Sequence, residues 1–341
     1  MAKNMRDLSS PQSGSESSSR KTGILNFVDK NRRPFSALGV FIVLLLIYTI
    51  ASPDVFLNPL IYKAVFTALP MSIVLTVPLV FVITSGEIDL SFGSVMGLAG
   101  LAFAATIEAG RSPWLALVLA LGVGAGVGFL NGVIVTRIGL SSLVSTLGMN
   151  FLLRGLINMK TEGFGISVVQ LQDTFFYNLF VGHIGILPVQ MIWASVFGVV
   201  GILVFNYHQF GAHVCCTGDN EMSAREMGIN VRAVRTLAFV YVGLAAGLAA
   251  ILSVLISNTF WPSTGDGLLL PVLAAVFVGG TPTWGGVGTV LGAIIGAFIV
   301  GFIDTGIVAA GLSAYYTRFF YGLIIILSLI GHKFNQPRYQ Y

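Results

Sequence analysis

Thr84-Ser85-Gly86-Glu87-Ile88-Asp89-Leu90-Ser91-Phe92-Gly93-Ser94-Val95-Met96-Gly97-Leu98-Ala99-Gly100 sets two carboxylates, Glu87 and Asp89, inside an otherwise apolar region. A carboxylate at bilayer depth costs on the order of 3 kcal/mol or more, so it faces protein or water and carries a task. At the membrane surface the same Asp89 would cap a helix beginning near Leu90. Both readings stay open from the stretch alone.

The surrounding chain sets its context. Of 341 residues, 55% are hydrophobic and only 9% charged, against roughly 25% charged in soluble domains. This is the composition of a polytopic membrane protein, and 41 glycines suit helices that pack backbone against backbone in lipid. The net charge of +4 resides in the first 33 residues, where seven Lys/Arg oppose three acids. That basic, Ser-rich segment reads as a disordered cytoplasmic tail facing the lipid surface, with no sign of nucleic-acid binding. Arg20-Lys21-Thr22 stands where a phosphate-binding loop needs Gly-Lys-Thr, so ATP is not bound by this route. No cleavable signal peptide is read, because the first apolar run begins at Phe35. Cys215 and Cys216 are adjacent, with no disulfide or zinc spacing, and the four histidines have none either.

Apolar runs near the roughly 20 residues of a spanning helix fall at 35–52, 61–84, 89–109, 113–136, 141–160, 189–207, 236–257, 271–282, 285–307 and 314–331. The eighth is short enough to be a half-helix. Ten crossings from a cytoplasmic N-terminus place Arg137, the 208–235 loop and Lys333 on one side, in keeping with the positive-inside rule. Glycines at a spacing of four (Gly124, Gly128 and Gly132; Gly288, Gly292 and Gly296; Gly93 and Gly97) read as helix-packing stripes. Phe92-Gly93-Ser94-Val95-Met96-Gly97 is echoed by Val287-Gly288-Thr289-Val290-Leu291-Gly292, each copy following a glycine-bearing break. Paired interrupted helices are the sequence pointer to a transport site. The expected fold is all-α and polytopic, with about ten transmembrane helices, interrupted or re-entrant segments and a two-half pseudo-repeat. Its parts are a tail over 1–33, a membrane domain over 34–332 and a cytoplasmic C-terminal tail over 333–341.

Between the sixth and seventh runs, Gly218-Asp219-Asn220-Glu221-Met222-Ser223-Ala224-Arg225-Glu226-Met227-Gly228-Ile229-Asn230 has the grammar of a short surface helix. Asp219 or Asn220 caps it, and Gly228 takes the left-handed conformation that ends it. So short a helix is not stable by propensity, so something packs on it. Met222, Ala224 and Met227 offer an adaptable apolar face, and Arg225 and Glu226 its charged rim.

This loop resembles the coupling loop of ribose-type permeases, the membrane subunits of bacterial ABC sugar importers. Gly86 to Ser94, Asn131-Gly132, Thr146-Leu147-Gly148, Leu153-Arg154-Gly155 and Gly279-Gly280-Thr281 with Gly285 to Gly292 resemble the same family, in order, over roughly residues 35–332. The resemblance implies a multi-pass permease of the inner membrane with both termini cytoplasmic. It also implies a second permease copy or paralogue, two cytoplasmic ATP-binding subunits that carry ATP and Mg, and a periplasmic substrate-binding protein. The chain itself would be no enzyme and would bind no cofactor. Gly218, Asn220, Met222, Ala224, Arg225, Gly228, Ile229 and Asn230 would meet the ATPase. The cargo implied is a monosaccharide or polyol, with a nucleoside or a furanose-like signalling molecule as alternatives. Departures bear on that cargo: Glu87 replaces the usual glycine, Cys215-Cys216 stand where Tyr-Ala is common, and Gly267 to Pro271 lacks an acidic residue.

The candidates for the substrate pathway are Glu87, Asp89, Ser91, Asn150 and Trp284. Asp89 with Ser91 either caps the third run or meets sugar hydroxyls, whereas Glu87 exceeds what one cap needs and is the sharper suspect. Trp284 can stack on a sugar or anchor at the interface. Asn150 lies one turn from Arg154, an intramembrane arginine that needs a partner, for which Asp304 is a candidate. A competing class is an ion-coupled secondary transporter using Glu87 and Asp89; a scaffold or sensor is a third.

Overall fold

The computed structural model describes residues 32–185, 187–311, 313 and 315–334. Most of both expected tails lies outside the described residues. The first helix already begins at Arg32 and the last runs on to Phe334.

The chain is all-α. Its first half comprises α1 (Arg32–Ala51), a single-turn α2 (Pro53–Phe56), α3 (Pro59–Thr84), α4 (Phe92–Glu108), α5 (Pro113–Val133), a π-helical extension of α5 (Ile134–Ile138), and α6 (Ser142–Thr161). A loop segment with β1 (Ile166–Ser167), α7 (Phe175–Val181), β2 (His183–Ile184) and β3 (Leu187–Pro188) leads to α8 (Val189–Tyr207). There follow α9 (Gln209–Asp219), α10 (Glu221–Glu226), α11 (Val231–Ser257), β4 (Thr259–Phe260), α12 (Leu269–Val278), α13 (Val290–Ala309) and α14 (Tyr315–Phe334). The strands are two-residue pairs that tie loops together, with β1 antiparallel to β4 and β2 to β3.

All ten apolar runs are helices within a few residues of their expected bounds. Among the described residues six of them (α3, α5 with its extension, α8, α11, α13 and α14) are long and apolar enough to cross a membrane. α12, at 10 residues, reaches only about 15 Å and is the half-helix its length implies. α6 is long enough but carries Ser142, Thr146, Asn150, Arg154 and Asn158 among its apolar residues.

The loops gather at two ends of the helices. At one end the α3–α4 and α12–α13 connections meet the 208–230 segment, Gly286 N donating to Thr84 O at 2.8 Å. At the other, β1 pairs with β4 and Trp114 packs edge-on to Phe176 at 5.2 Å. The loop after β4 does not stay there. A methyl on Gly100 would meet the Phe260 ring at 3.2 Å, and one on Gly93 would lie 2.8 Å from Gly265 O. Those contacts lie seven residues apart along α4, so the loop descends about 10 Å into the bundle before α12 begins.

Glycine stripes bring helices into backbone contact, as their spacing predicts. α5 crosses α11 so closely that a methyl on Gly243 would lie 2.0 Å from Gly124 O, and one on Gly128 2.4 Å from Phe239 O. Gly292 and Gly296 of α13 face Gly279 O and Ala275 O of the α12 segment at 2.0 and 2.1 Å in the same sense. Gly93 and Gly97 instead receive the loop after β4.

The two-half echo has a structural counterpart. α3 ends with Ser85 N, Gly86 N and Glu87 N donating to Phe81 O, Ile83 O and Val82 O; α12 ends with Gly279 N, Gly280 N and Thr281 N donating to Ala275 O, Phe277 O and Val276 O. Gly86 (φ +88°) and Gly280 (φ +95°) supply the left-handed residue of both caps. The second break is longer: seven residues separate α3 from α4 and eleven separate α12 from α13. The echoed hexapeptide therefore opens α4 but straddles the start of α13.

Forcing a side chain into the α5–α11 contact tests this packing. Gly243→Ala should lower the melting temperature of the detergent-solubilised protein, since overpacking of this kind costs about 1–3 kcal/mol. Gly126→Ala, with open space around it, should not. Equal melting of both variants with the wild type would contradict the close crossing.

Candidate functional site

A chain that leaves a helix inside an apolar bundle exposes amides that lipid cannot satisfy. In the first break, neighbouring hydroxyls take that role. Ile88 N donates to Ser142 Oγ at 3.1 Å and Leu90 N to Thr146 Oγ1 at 3.0 Å, both on α6. Asp89, only 1% exposed, accepts from Ser91 N and Ser91 Oγ through one oxygen, each at 2.7 Å. Ser91 Oγ accepts in turn from Asn131 Nδ2 of α5 at 2.8 Å. One turn into α4, Ser94 Oγ donates to Asn150 Oδ1 at 2.6 Å. Asp89 and Ser91 thus form a polar seam with Asn131, Ser94 and Asn150 make a separate pair, and Asp89 serves the break's own backbone. Asn131 was not singled out as a site residue. The signal was its place as a lone amide among the glycines of α5.

Glu87 points the other way, toward the loop between α8 and α11. Its Oε1 lies 3.1 Å from Arg235 Nε of α11, and Arg235 Nη1 lies 2.8 Å from Glu221 Oε2 of α10. Arg235 Nε also donates to Ser85 O at 3.3 Å, and Arg225 pairs with Glu221 one turn along α10. Burial raises the Glu221 carboxyl, but Arg235 and then Arg225 outweigh it and hold the group below the usual carboxylate range. These charges, with Thr136 and Ser141, line a cavity of about 340 Å³.

The loop is built largely as its sequence reads. Asn220 Oδ1 accepts from Met222 N and Ser223 N, each at 3.0 Å, and so caps α10. Gly228 has φ +81°, and Asn230 caps α11 by accepting from Ala233 N. Met222 and Met227 are 74% and 63% exposed. Ala224, expected beside them on the outer face, is fully buried against the body of the protein instead. Ile229 is half-buried. A second helix, α9, precedes α10 and was not expected, its Gly211, Cys215-Cys216 and Gly218 masking the periodicity. His208 is its readable signal, capping Phe210 N through Nδ1. Burial pushes the Cys215 thiol up to about 11, so it stays protonated at neutral pH.

The end of α9 wedges between the two breaks. A methyl on Gly218 would lie 1.8 Å from Thr84 O and 2.6 Å from Gly286 N, and one on Gly285 2.8 Å from Gly218 O and 3.1 Å from Gly86 Cα. Backbone from α3, from the loop and from the second break therefore meets at one point. Trp284, in that second break, is part-exposed with its ring edge-on to His332. Its chain neighbour Gly285 meets Gly218 at the end of α9.

Arg154 finds its partner elsewhere than Asp304. Its Nη2 lies 2.5 Å from Asp266 Oδ1, and its Nη1 donates to the carbonyls of Pro262 and Thr264. The run of the loop along α4 brings Asp266 within reach of Arg154. Asp304 accepts a hydrogen bond from Tyr321 of α14.

Residues 60–329 match the family described as branched-chain amino acid transport system / permease component. The chain is 29% identical over 296 residues to the ribose import permease protein RbsC of Escherichia coli K12, covering 86% of this chain and 92% of that protein. It is 30% identical over 309 residues to the autoinducer 2 import system permease protein LsrC of Yersinia enterocolitica, covering 89% and 83% respectively. The corresponding LsrC of Yersinia pseudotuberculosis is 30% identical over 312 residues, covering 90% and 86%.

The triple junction predicts its own weak point. Gly218→Ala forces a methyl into two backbones that cannot yield, so it should lower the melting temperature and speed proteolysis within 208–230. Gly228→Ala, strained in φ but in open space, should cost only about 1–2 kcal/mol. If Gly218→Ala is the milder of the two, the junction is wrongly drawn.

Proposed function

The chain belongs to this family of transport-system permease components, and from that premise we propose that it is the membrane subunit of a bacterial ATP-driven importer. It carries a monosaccharide or polyol across the inner membrane, using ATP hydrolysed on two cytoplasmic subunits. The observation that carries the reading is α10: a capped helix whose outer face presents Met222 and Met227, mounted on a stem wedged between both helix breaks. Methionines at such a face re-pack against a partner surface. The ATPase subunits dock there, and their closure on ATP moves α10 against the ends of α3 and α12. Both termini then lie on the cytoplasmic side, with α10.

A second permease copy or a paralogue faces α6. That helix leaves Leu143, Val144, Leu147, Phe151, Leu152 and Leu156 exposed, with Gly148 and Gly155 open on the same stripe. Small residues on such a stripe allow close helix approach. α6 also carries Asn150 and Arg154, so the route for a hydroxyl-bearing cargo runs along it. The binding protein delivers cargo at the opposite end from α10.

An ion-coupled secondary transporter is the weaker reading, because Glu87 is already paired with Arg235 and Asp89 is engaged by Ser91. For the cargo itself a furanose-like signalling molecule is a second reading, supported by the similarity to autoinducer 2 permeases.

Uptake by proteoliposomes containing the full complex is the test. Met222→Asp with Met227→Asp should cut ATP-driven uptake at least about tenfold, the loss expected when an interface anchor of about 1.4 kcal/mol is removed. Both side chains are exposed, so melting of the isolated permease should not change. Uptake by the permease alone under an ion gradient would overturn the proposal. A thermal-shift screen of the cognate binding protein against pentoses, hexoses, polyols, nucleosides and furanosyl signals then assigns the cargo.

A further inference from the structure

We infer that Arg235, held between Glu87 and Glu221, is the positioning residue that ties the motion of α10 to the first helix break. The inference rests on the proposed docking of ATPase subunits at α10.

The geometry supplies three supports. First, the link is anchored rigidly at one end. Glu87 N donates to Val82 O at 3.1 Å as part of the α3 cap, so its carboxylate projects from fixed backbone. Arg235 touches that cap twice, through Glu87 Oε1 and through Ser85 O.

Second, exposure rises steadily from the break outward. The side chains of Glu87 and Arg235 are 13% and 17% exposed, that of Glu221 38% and that of Arg225 55%. The pair nearest the break is therefore the least screened by solvent and the costliest to break. The chain of charges ends on the helix that carries Met222.

Third, covalent connection alone does not hold α10 to the break. α10 joins α11 through the turn at Gly228, which has φ +81° and open space around it. Its other end hangs from Asn220 after the Gly218 wedge. A wedge of backbone resists compression and transmits a push. Against separation it offers only dispersion contacts, whereas an ion pair adds an attraction that acts over a longer distance. Arg235 supplies the pull that the glycine junction cannot.

The test measures ATP hydrolysis and substrate uptake separately, in proteoliposomes containing permease, ATPase subunits and binding protein. Glu87→Gln should lower uptake per ATP about fivefold, near the low end of coupling between sites, with hydrolysis within about twofold of wild type. Arg235→Gln should match it, and the double variant should be no worse than either single one, because both remove the same link. Glu87→Asp, which keeps the charge, should regain at least half of the loss. An unchanged ratio of uptake to hydrolysis in Glu87→Gln overturns the inference. So does a fall in uptake matched by an equal fall in hydrolysis and melting temperature, which marks a merely structural pair. Additive losses in the double variant also overturn it. A wild-type complex that shows no ATP-driven uptake sinks the functional reading itself and this inference with it.

Discussion

A backbone amide that leaves a helix inside an apolar bundle has no water to bond, and this chain breaks its helices there twice. Everything near the breaks answers that constraint. The first break borrows hydroxyls from α6, because Ser142 and Thr146 stand one turn apart on the face that meets Ile88 and Leu90. The second closes on itself and on α3: Thr289 N donates to Thr281 Oγ1, and Gly286 N donates to Thr84 O. Glycine is required at the meeting point because three backbones share it, and no side chain fits between Gly218 and Thr84 O. Polar seams and glycine contacts are thus two answers to one problem, donors brought to the backbone or backbone brought to the backbone.

Charge follows the same logic. A buried guanidinium or carboxylate is costly unless it is paired or hydrogen-bonded. Arg154 pins the loop before α12 to α6 through Asp266 and two carbonyls. Glu87, Arg235 and Glu221 hold the opposite end. The two ionic groups lie on either side of the seam of Asp89, Ser91 and Asn131, so the interior between them is kept together by hydrogen bonds and packing.

Much of this was readable from residues. Ten apolar runs, the four-residue glycine stripes, the Asn220 and Gly228 caps and the half-length α12 all follow from local periodicity and cap chemistry. What escaped were features set by contacts between distant segments. Asp266 as the partner of Arg154 is one, because nothing local shows that its loop runs along α4. Ala224 looked like part of the docking face because a two-turn helix has too little periodicity to show which side turns inward. α9 was missed because its glycines serve backbone packing, and the contact of Gly218 with Thr84 lies outside any window of sequence. Asp304 was offered to Arg154 on charge alone, although each had a nearer partner.

The two carboxylates of the first break show why proximity in sequence does not mean one role. Asp89 bonds Ser91, two residues away, so its hydrogen bonds travel with the break and are unaltered by any motion of it as a unit. Glu87 bonds Arg235, on another helix, and that bond changes length whenever α11 and the break move apart. A hydrogen bond to a fixed donor is directional and weakens steeply when misaligned. An ion pair falls off slowly with distance and so can stay engaged through a shift that would sever a hydrogen bond. The bond within the element keeps the break's shape, and the bond between elements can carry displacement. A break that had only the first kind would be well made and mechanically isolated.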